Sequence, residues 1–72
     1  MIYSGLIKAD IEKIRQEANF TAEQDAVFAE LIKPSYGVTD CDTAVYMRLN
    51  MSRAKYYRIK SVINHKIIRI LS

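Results

Sequence analysis

The chain has 72 residues, half of them hydrophobic, with two glycines, one proline and a single cysteine. That suits one small domain over residues 1–72 and excludes collagen, a turn-rich β-sandwich, a disordered linker and an internal disulfide framework. The net charge of +3 is sorted along the chain: residues 1–42 hold four basic and all eight acidic residues (−4), and residues 43–72 hold seven basic and none acidic (+7).

Met1–Lys13 lack the basic start and apolar run of a signal peptide, and no apolar run approaches the length of a membrane span. With one cysteine, these features point to a reducing cytoplasm and to no membrane insertion. In chain order, Ile7, Ile11, Ile14 and Ala18 follow spacings of four, three and four, which predicts a helix from about residue 5 to 19 with that stripe inward. Thr21-Ala22-Glu23-Gln24 fits a capping box and opens a second helix, over about 22–33. Val27, Phe28, Leu31 and Ile32 form its buried face, and Pro34 ends it. Ser35-Tyr36-Gly37 reads as a loop, with Gly37 available for a positive φ.

A short third helix over about 40–48 takes Thr39 as its cap and Asp40 and Asp42 in its first turn. Cys41, Val45 and Leu49 then face inward, Cys41 as a small buried hydrophobe. Asn50 tolerates left-handed backbone, and Ser52 caps a fourth helix. Along that helix, from about 53 to 71, Tyr56, Ile59, Ile63, Ile67 and Ile70 fall on one narrow stripe, which core packing explains most simply. Opposite lie Ala54, Tyr57, Arg58, Ser61 and His65, with Arg53, Lys55, Lys60, Lys66 and Arg69 along the borders. Such a helix can enter a nucleic-acid groove, its flanks on phosphates and its outer face on base edges. The +7 half points to a polyanion, nucleic acid first and an anionic membrane surface second.

A short helix, a tight turn at Asn50 and a Ser-capped basic helix make a helix-turn-helix pattern. The stretch Phe20–Phe28, then Asp42, Val45 and Leu49-Asn50-Met51-Ser52-Arg53-Ala54-Lys55-Tyr56-Tyr57-Arg58-Ile59-Lys60, resembles region 4 of bacterial sigma-70 family factors and the small phage regulators built on that module. The resemblance covers about residues 20–70 and implies an all-α, four-helix bundle whose long basic C-terminal helix reads double-stranded DNA, with RNA polymerase as a second partner. Carried over by position, it puts Ser52, Arg53, Ala54, Tyr57 and Arg58 on bases and Lys55, Lys60 and Arg48 near phosphates; Ser61 continues the base-facing surface. The position three before Leu49, small in that family, is Tyr46 here, so either the two helices splay or Tyr46 turns outward.

No glycine-rich phosphate loop, nucleophile elbow or metal motif is present, so neither an enzyme nor a cofactor or metal site is expected. His65 stands alone and reads as a polar surface residue, while Asp40 and Asp42 read as helix-capping groups rather than a metal pair. Tyr57, off the core stripe, is the tyrosine of that helix free to stack on a base. Ile68 and Leu71 lie outside the stripe, as a homodimer contact or a frayed end. Two alternatives accompany the regulator reading: a phage DNA-packaging or recombination subunit using the same motif, and a protein-interaction module whose basic helix docks on an acidic partner.

Overall fold

A computed structural model describes residues 3–72; Met1 and Ile2, part of the expected domain, lie outside the described residues. The fold is all-α: a 3-10 turn at Tyr3–Gly5, then α1 (Lys8–Ala18), α2 (Ala22–Leu31), α3 (Asp42–Arg48) and α4 (Arg53–Leu71), with no β-strand among these residues. Helix α4 is the centrepiece, and α1, α2 and α3 all pack against it. Ile14 and Ala18 from α1, Val27, Phe28 and Leu31 from α2, Val45 from α3, and Tyr56, Ile63 and Ile67 from α4 make one buried cluster, which Tyr3 completes. The isoleucine stripe of α4 is thus core, with Ile59 and Ile70 at its margins.

Helix α1 starts later than the periodicity predicts. Its cap is Ile7, held in extended backbone, and the Asp10 carboxylate accepts the Ile7 N–H at 3.3 Å. Ile7 therefore precedes the helix and is exposed instead of heading its buried stripe. Asn19 ends α1 in left-handed geometry with φ 54°, which a short polar side chain tolerates better than most. The Thr21 capping box closes as expected: the Gln24 N–H donates to Thr21 Oγ1 at 3.2 Å and the Thr21 N–H to Gln24 Oε1 at 3.1 Å. Helix α2 stops at Leu31, two residues short of the predicted end, where bonds such as Lys33 N–H to the Glu30 carbonyl tighten the last turn before Pro34.

The entry to α3 also differs. The amides of Val38, Thr39 and Asp40 all donate to the Ser35 carbonyl, and the Gly37 N–H donates to the Asp40 carbonyl. Gly37 takes φ 80° to make this loop. With the Asp40 carbonyl taken by Gly37 instead of by a helical amide, the helix begins only at Asp42, and the cap position is Cys41 rather than Thr39. Cys41 is consequently exposed and not a core hydrophobe, and Asp40 lies outside the helix. Beyond α3, Asn50 adopts φ 58°; its N–H reaches the Met47 carbonyl at 3.2 Å and the Met51 N–H reaches that of Tyr46 at 2.9 Å. That bond pair is the Schellman closure of a helix end, with asparagine where glycine is commoner. Ser52 then caps α4 by accepting the Lys55 N–H at 3.2 Å.

Candidate nucleic-acid interface

One carboxylate ties α4 to α3, beside the packing of Val45 and Tyr46. Asp42, at the start of α3, accepts hydroxyl hydrogen bonds from Tyr36 at 2.6 Å and Tyr56 at 2.7 Å, and the Lys60 ammonium donates to both its oxygens at 3.0 and 3.1 Å. Lys60 also donates to the Tyr36 hydroxyl at 2.7 Å. Burial alone raises the Asp42 carboxyl, but these donors outweigh it and hold it below the usual carboxylate range. Burial likewise works against the Lys60 charge, and its bonds to Tyr36 and Asp42 reverse the effect and lift its pKa. The Tyr56 hydroxyl, desolvated and donating to a carboxylate, is pushed far up. Tyr46 settles its own alternatives: it is half-buried, its ring 5.6 Å from that of Tyr56 and tilted by 49°, so it lies against α4 instead of turning to solvent.

This arrangement divides the sequence-predicted site residues into two sets. Ser52, Arg53, Ala54, Tyr57, Arg58 and Ser61 are all exposed along the first turns of α4. Arg58 has no ion-pair partner among the described residues, and Arg53 lies over the Tyr57 ring, 5.8 Å from its centroid. The other cations are engaged by the acidic half of the chain. Arg48 binds Glu30 through Nε at 3.1 Å and Nη2 at 2.6 Å, and Asp40 at 3.0 Å. Lys55 pairs with Glu23. Lys60 is half-buried on Asp42 and does not point outward as a phosphate contact.

These pairs differ in how readily a phosphate displaces them. Lys55 and Glu23 are each about half exposed, and such a pair contributes roughly 0–1 kcal/mol, so it opens at little cost. The Lys60–Asp42 pair is less exposed, 18% and 26%, and both partners also bond the Tyr36 hydroxyl, so it is held more firmly than the Lys55–Glu23 pair. Lys66 is also committed inward, its ammonium closing the end of α1 through the Ala18 carbonyl at 2.9 Å. Arg69 and His65 remain on the outer surface towards the C-terminus of α4.

Tyr36, Glu30 and Glu23 were not legible as partners of the basic half, although the clean separation of acids from bases was the available sign. Among the described residues no three His, Cys, Asp or Glu side chains converge as metal ligands. No helix there is long and apolar enough to cross a membrane. Two surface clefts of about 350 and 280 Å³ lie away from the Arg53–Ser61 face. No protein-family model, curated protein or solved structure matches the chain.

Proposed function

We propose that this chain is a helix-turn-helix domain of four bundled helices that binds double-stranded DNA sequence-specifically, as a transcriptional regulator resembling sigma-70 region 4. Helices α3 and α4 are its two motif helices, with Asn50 and Ser52 shaping the turn between them. The observation that carries the reading is the outward face of the first turns of α4. Arg53, Ala54, Tyr57, Arg58 and Ser61 are exposed there together, and α4 itself contains no carboxylate. Helix-turn-helix proteins contact base edges chiefly from this N-terminal part of the second helix. Arginine there can grip guanine O6 and N7 with two hydrogen bonds.

The test is selection of bound sequences from random duplex DNA at two salt concentrations, followed by three substitutions. Arg53→Ala and Arg58→Ala should each weaken the preferred site by about 1–3 kcal/mol and relax selection at one or two base pairs. Arg69→Ala, at the far end of the helix, should lower preferred and unrelated sequences alike. Equal, sequence-blind losses from all three would reduce α4 to a phosphate anchor and favour the protein-interaction reading. RNA polymerase enters as the partner that a regulator of this type would need, and co-purification with the enzyme tests it. Ile68 and Leu71, 55% and 38% exposed at the end of α4, support a homodimer contact that sedimentation at rising concentration can detect.

A further inference from the structure

Surface arginines and tyrosines ordinarily sample several rotamers, but on α4 Arg53 lies over the ring of Tyr57. The Arg53 guanidinium carbon lies 5.8 Å from the Tyr57 ring centroid, one turn along the helix. Behind it, the Tyr57 ring meets Tyr56 edge-on, with centroids 5.2 Å apart and planes at 77°. Tyr56 is fully buried and its hydroxyl is fixed on Asp42. The Lys60 ammonium, held by the same carboxylate, stands 5.9 Å from the Tyr57 centroid. Order therefore passes from the core through Tyr56 and Tyr57 to Arg53. The neighbours on this face, Ala54 and Ser61, are small and exposed, so the Tyr57 ring, itself 41% exposed, is not screened by them.

A guanidinium in cation–π contact with an aromatic ring can keep its planar fork of N–H groups free for guanine O6 and N7. The ring beside it offers an apolar surface, and the apolar group that a base pair projects into the major groove is the 5-methyl of thymine, which 5-methylcytosine shares. Resting on the DNA-binding reading above, we infer that the Arg53–Tyr57 pair reads a 5-methylated pyrimidine next to a guanine, with Arg53 on the guanine and the Tyr57 ring over the methyl group. Tyr57 is then a specificity-determining residue and not a general stacking platform.

The experiment starts from the duplex preferred by the full chain. Each thymine is replaced in turn by deoxyuridine, which removes only the methyl, and binding is followed by fluorescence anisotropy. One thymine beside a guanine should lose about fourfold in affinity, the worth of one methyl group withdrawn from water. At that position 5-methylcytosine opposite guanine should bind about fourfold more tightly than cytosine opposite guanine. Tyr57→Ala should erase both differences, whereas Tyr57→Phe, which keeps the ring, should retain them. Arg53→Ala should relax the choice of the adjacent guanine. Specific binding without a methyl-sensitive position, methyl sensitivity that survives in Tyr57→Ala, or its loss in Tyr57→Phe overturns the inference and leaves the DNA reading standing. Failure to bind any duplex overturns both.

Discussion

Asp42→Ala should be among the most damaging single substitutions in this chain, although Asp42 is neither hydrophobic nor fully buried. Its carboxylate receives the hydroxyl of Tyr56, a residue with no exposed surface. Removing it strands that hydroxyl away from water at a cost of about 1–3 kcal/mol. A negative charge in the first turn of α3 adds about 0.3–1 kcal/mol. The Lys60 pair adds roughly 1 kcal/mol at most, because Lys60 keeps its bond to Tyr36 and reaches some solvent. The sum is about 1–5 kcal/mol against a total stability of roughly 4–11 kcal/mol for a chain of this length. In thermal unfolding followed by far-ultraviolet circular dichroism, that corresponds to a Tm lowered by roughly 5–40 °C. Asp42→Asn keeps an acceptor for Tyr56 and should lose about half as much. Placing Asp42→Ala in a Tyr56→Phe background should recover about 1–2 kcal/mol as coupling energy. A Tm within about 3 °C of the parent for Asp42→Ala would refute the assignment of this carboxylate as the anchor of α4.

Ile63→Asp places an unpaired carboxylate on a residue with no exposed surface, and cooperative melting should disappear. Ile7→Asp, 64% exposed, should shift stability by no more than about 0.5 kcal/mol; equal effects from the two would misplace the core. Stability should be flat from about pH 5 to 9 and fall on both sides. On the acid side, hydrogen bonds hold Asp42 and Glu30 below the ordinary carboxylate range, so their contribution is complete above about pH 4 and is lost as pH falls through the lower folded values. On the alkaline side, Lys60 and the buried Tyr3 and Tyr56 are raised, so their contribution holds below about pH 10 and is lost above it. Chemical unfolding across pH checks both limbs, and an acid limb that survives in Asp42→Asn at full depth would remove Asp42 from its cause. In DNA binding, Lys55→Gln should flatten the salt dependence by about one unit. Lys60→Gln should instead lower Tm and leave the slope of the folded protein unchanged.

The features legible in the sequence were those that depend on near neighbours in the chain. Thr21 and Gln24 are three apart, Asn50 and Ser52 shape a turn with residues on either side, and the α4 stripe repeats within each helical turn. A 3.6-residue period or a capping pattern reports such relations directly. Ile7 fits the period but lies outside the helix, because an apolar period carries no mark of where the helix starts; the Asp10 bond to the Ile7 amide sets that start. Cys41 is exposed, against the periodicity, because the loop holds the Asp40 carbonyl on Gly37 and α3 starts two residues later. Tyr3 carried no periodic signal at all, yet it is buried and its hydroxyl donates to Asn64, 61 residues away. The Asp42 hub is of the same kind: its partners lie 6, 14 and 18 residues off. Only the fold brings them together.

Charge sorting along a sequence does not by itself say which cations the fold leaves outward. A half-chain of +7 suggests a broad polyanion-binding surface. Folding sets the acidic helix and loop against the basic one, so Glu30 and Asp40 take Arg48, Glu23 takes Lys55, and Asp42 takes Lys60. What stays outward on α4 is a smaller group, Arg53, Arg58 and Arg69, with Lys55 available once its exposed pair opens. Electrostatics over so few contacts would give a DNA-binding chain only weak attachment to arbitrary sequences, because affinity through phosphates scales with the number neutralised. On the DNA-binding reading, tight binding then has to come from base contacts or from a second copy of the chain. The acidic half would thus act as an internal competitor, suppressing non-specific adhesion while leaving Arg53 and Arg58 at the end of the helix that reads.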